Sequence, residues 1–201
     1  MPILEDVKEY IQRATGLRRP GKKEASDLTR PKKPHTARFE DDGLVPNHPR
    51  WPFIIYRSAV NLGDGYDPAA VMEDLFEANE WGDTWRDGIY DYVHYHSRIH
   101  EVLGIARGKG RVRFGGNKGR IFTLKVGDVV ILPAGTGHQC LSADGDFLVV
   151  GAYPSAGTYD ECTKVEDRPR ALKTIPKVPA PRKDPVYGKD GPLTKHWKKQ
   201  K

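Results

Sequence analysis

The stretch that decides the fold runs from Gly88 to Gly108 and reads GIYDYVHYHSRIHEVLGIARG. Residues two apart in a strand point to the same face, so His94 and His96 present both imidazoles to one side. The interval before Glu101 leaves room for a tight reversal, after which the next strand can return the Glu101 carboxylate beside the two rings. A second stretch, GDVVILPAGTGHQCLS from Gly127 to Ser142, supplies His138 behind the stiff Pro133-Ala134-Gly135 turn. Closure of a barrel would carry His138 to the same centre.

Three neutral nitrogens and one carboxylate make a site for one divalent first-row metal ion. Manganese, iron, nickel, copper and zinc overlap too far in affinity and ligand type to be told apart. The His-x-His pattern alone would also fit an exposed edge strand. It is the agreement of every spacing that points to a metal held by His94, His96, Glu101 and His138. The face rule places Tyr90 and Tyr92 on the side of His94 and Cys140 on the side of His138, as candidate catalytic or substrate-touching groups. Tyrosine is equally at home in a strand core, and buried cysteine is commonly an apolar filler. Leu103 and Ile105 share the face of Glu101 and should make part of the pocket apolar. His100 adjoins Glu101 and turns to the other face, toward the surface or a place behind the ligands.

From Ile89 onward the chain offers seven runs of period two: IYDYVHYH, EVLGIAR, RVRF, IFTLKV, DVVIL, HQCL and FLVVGAY. Turn-rich GKG, GGNKG, VGD, PAGTG and SADGD part them, which predicts an all-β barrel or sandwich. Upstream, Asp67-Pro68 is a helix start, and Val71, Met72, Leu75 and Phe76 form one apolar stripe that should cover a side of the core. Arg107, Lys109, Arg111, Arg113, Lys118 and Arg120 surround two Gly-rich turns, where they form a solvated hairpin or attract an anion.

The ends differ from the middle. Residues 1–34 carry a net charge of +4 and residues 173–201 one of +7, against −5 between them. Residues 3–14 have the spacing of a short amphipathic helix, and the Arg, Lys, Pro and Gly-rich residues 17–34 read as a basic linker. The expected division is therefore 1–34 helix and linker, 35–160 barrel, and 161–201 a Pro- and Lys-rich tail that wraps the surface without entering the core. Basic tails without a groove-reading element argue against specific nucleic-acid binding. No apolar run approaches the roughly 20 residues of a membrane span. The acidic, weakly apolar amino terminus lacks an export signal, so the cytoplasm is the expected compartment, with Cys140 and Cys162 as reduced thiols.

With these residues in place, Gly88–Gly108 resembles the first cupin motif, G-x5-H-x-H-x3-4-E-x6-G, at Gly88, His94, His96, Glu101 and Gly108. Gly127–Ser142 resembles the second, G-x5-P-x-G-x2-H-x3-N, at Gly127, Pro133, Gly135 and His138, with Ser142 where Asn is usual. A wider likeness from about Leu44 to Trp197, including VPNHPRWPFIIYR and DPVYGKDGPL, resembles the YjlB-like branch of cupins. The resemblance implies a cupin double-stranded β-helix, or jelly-roll barrel, with one or two short flanking helices, and a homodimer. It further implies a small-molecule ligand and a metal-dependent enzyme, a dioxygenase-like oxidoreductase foremost, with isomerases, hydrolases and lyases in the same superfamily. The alternative is a non-catalytic, metal-dependent binding or sensor module.

Overall fold

FIIY, EVLGIA and VVIL are apolar throughout because they become strands of one sheet whose two faces are both covered. The computed structural model describes residues 16–198, so the helix expected over 3–14 lies outside the described residues. The strands are β1 His35–Ala37, β2 Phe53–Tyr56, β3 Trp81–Asp87, β4 Glu101–Arg107, β5 Lys109–Phe114, β6 Arg120–Lys125, β7 Val129–Leu132, β8 His138–Ala143 and β9 Leu148–Pro154. They make a six-stranded sheet in the order β1-β2-β7-β4-β9-β3 and a three-stranded sheet in the order β6-β5-β8. Every pairing is antiparallel, and the result is an all-β jelly roll.

One core lies between the sheets, where Phe53, Ile55, Leu103, Ile105, Val130 and Leu132 meet Val112, Phe114 and Leu124. The other lies behind the large sheet, where Ile54, Val102, Ile131 and Val150 meet the helix α2, Pro68–Ala78. The Asp67 side chain caps α2 by accepting from the Ala69 N–H, and Val71, Met72, Leu75 and Phe76 are buried, as their stripe predicts. Gly104 makes the approach possible: a Cβ there would meet Met72 Sδ at 2.8 Å and Phe76 Cζ at 2.9 Å.

Three features depart from the sequence reading. The Ile89–His96 run is not a regular strand, because its backbone is shared among separate partners. Tyr90 O accepts from Cys140 N, His94 bridges His138, and Tyr95 bridges Cys162. Second, residues 17–34 are not a loose linker. They contain a short helix, α1 (Lys22–Asp27), with Ala25 fully buried. Their anchor is charge rather than apolar periodicity. Arg19 pairs with Asp74 and with Glu73, the latter at 2.9 Å, while Gly21 N–H donates to Asp74 Oδ2.

Third, the tail enters the core. Val186, Leu193 and Trp197 belong to the cluster behind the large sheet, beyond α3 (Arg168–Thr174) and on or beside α4 (Pro192–His196). Trp197 stacks on Trp51 at 5.5 Å, and its Nε1–H donates to Pro52 O. His100 does turn away from Glu101, but into this nest rather than to the surface. It is fully buried, 4.8 Å from the Trp197 ring and 5.4 Å from that of Trp51. Ala134 N–H donates to its Nδ1, and its Nε2 faces Pro179 O. Among the described residues no helix is long and apolar enough to cross a membrane.

Trp197→Ala should leave a cavity behind the sheet and cost about 3–5 kcal/mol, read as a lower urea midpoint. His48, stacked on Trp51, supplies a pH dependence. Burial, together with Arg50 and Arg38, lowers it to about 4, so the folded protein keeps it neutral. The unfolded chain protonates His48 near 6.5, so this stability is complete above that pH and is lost as pH falls toward about 4. His48→Asn keeps an acceptor for the Arg50 and Trp51 N–H groups that now reach Nδ1. It should reduce the stability lost between pH 7.5 and 5 by roughly 2 kcal/mol in paired urea titrations.

Candidate metal centre

His138 opens β8 and sits in a direct cross-strand pair with His94, each N–H donating to the other's carbonyl. That pairing holds the two rings 4.0 Å apart. His96 is two residues on and faces the same way, while Tyr95 between them is turned into a separate buried cluster with Val45 and Cys162. Glu101 opens β4 and pairs with Leu132 in β7. The structure thus brings the four side chains together: ring nitrogens of His94, His96 and His138 lie within 4.8 Å of one another. Glu101 Oε2 is 3.5 Å from His96 Nε2 and 3.3 Å from His138 Nε2. All four are buried.

Each imidazole is oriented from behind. Nδ1 of His94 faces Tyr92 O at 3.3 Å, Nδ1 of His96 faces Asp160 O at 2.5 Å, and Nδ1 of His138 faces Thr136 O at 3.2 Å. A carbonyl can only accept, so Nδ1 carries the proton in each neutral ring and the Nε2 lone pair is left for the centre. Asp160 is itself fixed, its carboxylate accepting from Ser97 N–H, Ser97 Oγ–H and Arg98 N–H.

The electrostatics fit a cation. Burial lowers His138, with His94 adding to it, and burial also lowers His94. Burial opposes charge on Glu101 and on His96 alike, but their mutual attraction outweighs it, so Glu101 is lowered and His96 raised. Among the described residues, Glu101 Oε2 nevertheless has no hydrogen-bond donor. Other buried carboxylates are satisfied, as Asp184 is by Tyr56 O–H and the Val186, Tyr187 and Leu193 N–H groups. An orphaned buried carboxylate oxygen facing three Nε2 lone pairs suits a divalent ion.

A cavity of about 340 Å³ opens from this centre. Tyr90 and Leu103 line it, as the face rule predicts, and so do Trp85, Ile89, Tyr153 and Tyr159. Tyr92 stacks on Tyr90 at 4.9 Å and donates to Glu161. Cys140 packs against the inter-sheet core instead, as does Ile105. Arg107, Lys109, Arg111 and Arg120 are exposed, and none of the hairpin cations lines the cavity.

Trp85 reaches the cavity through a bulge. Between Gly82 and Trp85 β3 has one residue more than β9, so Trp81 faces the rear core and Trp85 the space between the sheets. Its indole rests on Gly151 and donates to the Tyr153 hydroxyl at 3.0 Å. Parity along β9 links Tyr153 with the inward Val149 and was a usable signal in the sequence. Tyr159 and Asp160, in a loop, gave none.

Residues 84–176 match the cupin family. The chain is 40% identical to the uncharacterised protein YjlB of Bacillus subtilis (strain 168) over 162 residues, 80% of this chain and 94% of the relative. The chain belongs to the cupin family, in its YjlB-like branch. Among solved structures, this cupin is similar to an oxalate decarboxylase variant of Bacillus subtilis, at 18% identity and a TM-score of 0.34 over 58% of this chain and 29% of that one. It is also similar to an 11S globulin from Wrightia tinctoria, at 15% identity and a TM-score of 0.30 over 39% and 21% of the two chains. The cupin thus spans less than a third of either of those larger chains.

Gly151→Val would put a side chain where the Trp85 indole lies. The expected result is a changed near-ultraviolet dichroism, with a stability loss of about 1–3 kcal/mol from overpacking.

Proposed function

We propose that this cupin is a metal-dependent enzyme acting on a small organic molecule. One divalent first-row ion would be held by His94, His96, Glu101 and His138. The observation that carries the reading is the Glu101 oxygen without a donor, buried among three imidazoles whose Nδ1 atoms are all committed to carbonyls. When bound, the ion supplies Lewis-acid polarisation of a coordinated substrate oxygen.

The chain's own residues supply the rest. His94, His96 and His138 act as neutral donors, and Glu101 offsets part of the added charge. Tyr153, raised by burial and then by the charge of Glu101, keeps its hydroxyl proton and can donate it to a substrate atom. Tyr90 contacts the substrate, backed by the ring of Tyr92. A dioxygenase-like oxidoreductase is the reaction class put forward first. Cupin membership and the free thiols of Cys140 and Cys162 support a homodimer and a reducing, cytoplasmic setting as parts of the proposal. A sensor that fixes a ligand without turnover is the second reading, favoured if metal is held but no candidate substrate is consumed.

The test is metal stoichiometry by elemental analysis after dialysis against a mild chelator. Wild type should retain close to one ion per chain. His96→Ala, His138→Ala and Glu101→Gln should each lose most of it, since a three-ligand remnant binds far less well. His100→Ala should keep the ion, because that ring lies in the aromatic nest behind β4. A wild type that never holds metal would end the enzyme reading.

A further inference from the structure

The cavity walls say what kind of molecule would meet the ion. We infer that the ligand of this site is a small single-ring aromatic molecule that presents one hydroxyl oxygen to the centre. The inference deepens the metal reading and rests on it only for the atom that binds that oxygen.

Charge is the first observation. Of the described residues lining the cavity, Arg86 alone among arginines and lysines is present, and its guanidinium is already committed. Nε and Nη2 donate to Glu73 at 2.6 and 2.8 Å, and Nη1 donates to Asp67 at 2.7 Å. Arg98, near the loop that bears Tyr159, is drawn to Asp160 at 3.7 Å and donates to Tyr159 O. The rim is acidic where it carries charge: Asp87 lines the cavity, and Glu161 accepts from both Tyr92 and Tyr159 hydroxyls. A second carboxylate or a phosphate on the ligand would find no free counter-cation among the described lining residues beyond the ion itself.

Polar capacity is the second. A sugar-like ligand needs a hydrogen-bond partner for each buried hydroxyl. The Trp85 Nε1–H is spent on Tyr153, and the Tyr159 hydroxyl on Glu161. The histidine Nδ1 atoms face carbonyls. Among the described residues the Tyr90 and Tyr153 hydroxyls and the Asp87 carboxylate remain, a short set for a polyol whose every buried hydroxyl needs a partner.

Ring surface is the third. Trp85, Tyr90, Tyr153 and Tyr159 surround the opening. Tyr90 and Tyr159 stay 46% and 48% exposed, so a ligand entering here would cover aromatic faces now in water. At about 340 Å³ the space is at the small end for ligand pockets and suits one ring with short substituents.

The test compares four probes by calorimetric titration of protein whose metal content is measured on the same sample. Benzyl alcohol and cyclohexylmethanol offer the same oxygen on a flat or a saturated ring; malonate offers two carboxylates, and xylose several hydroxyls. Benzyl alcohol should bind at least about fivefold more tightly than cyclohexylmethanol, the gain expected from ring pairing beyond buried area. Malonate and xylose should bind more weakly than either. Tyr159→Leu and Tyr90→Leu should each shrink the gap between the two rings while metal content stays unchanged. Equal or tighter binding of cyclohexylmethanol, malonate or xylose would overturn the inference, as would no measurable binding of benzyl alcohol. If the protein holds no metal, the enzyme reading fails on the elemental analysis alone, and the same four titrations on the metal-free protein still decide the ring preference.

Discussion

A carboxylate oxygen buried without a donor is the constraint around which this molecule is arranged. Asp128 and Asp184 are just as deeply placed and Asp160 is buried too, yet each is matched by N–H, O–H or guanidinium groups. Glu101 Oε2 is matched only by imidazole nitrogens whose own protons are committed elsewhere. An unsatisfied buried group of this kind costs on the order of 1–3 kcal/mol or more, and the fold keeps it in place from two directions. The ladders of β4 with β7 and β9 fix the carboxylate, and the exchange of hydrogen bonds between His94 and His138 fixes two of the rings.

The rest of the structure holds that frame rigid. Because both faces of the large sheet are covered, a one-residue slip of β4 that set His100 in the place of Glu101 would move the carboxylate into the apolar core behind the sheet. The same slip would take Leu103 out of the core between the sheets and set Val102 in its place. The nest formed by His48, Trp51, His100 and Trp197 therefore acts as the counterpart of the metal centre. One side of the residue pair His100-Glu101 is satisfied by aromatic rings, the Ala134 N–H and the Pro179 carbonyl, the other by charge.

How much of this could be read from the sequence follows from locality. His94, His96, Glu101 and His138 were legible because strand parity and turn spacing are local properties, and α2 was legible from its cap and stripe. FIIY carries no strand signal of its own: burial on both faces erases the alternation, and it stands outside the series of turn-separated runs that marks VVIL. WGDTWRD carries none either, because its bulge breaks the period between Trp81 and Trp85. The burial of the tail is hidden in the sequence because lysines and prolines dominate its composition, while its hold on the core depends on a few anchors, Val186, Leu193 and Trp197. The docking of residues 17–34 is hidden for a related reason: it runs through Arg19 onto Glu73 and Asp74, and an ion pair leaves no periodic trace. Tyr159 and Asp160 reach the centre from a loop far along the chain, which no spacing rule foresees.

The strand β3 closes the order of the large sheet and so has a neighbour on one side only. Its outer edge bears Asp83, Arg86 and Asp87, charges that discourage pairing with another chain. From Asp87 the backbone runs directly into the segment that presents His94 and His96. A strand held by a single ladder is among the first parts of a sheet to open. Here that opening would lift Trp85 from Gly151 and slacken the tether of the histidine segment together. Access to the cavity and order in the ligand cage are thereby joined mechanically, through an edge strand of the sheet.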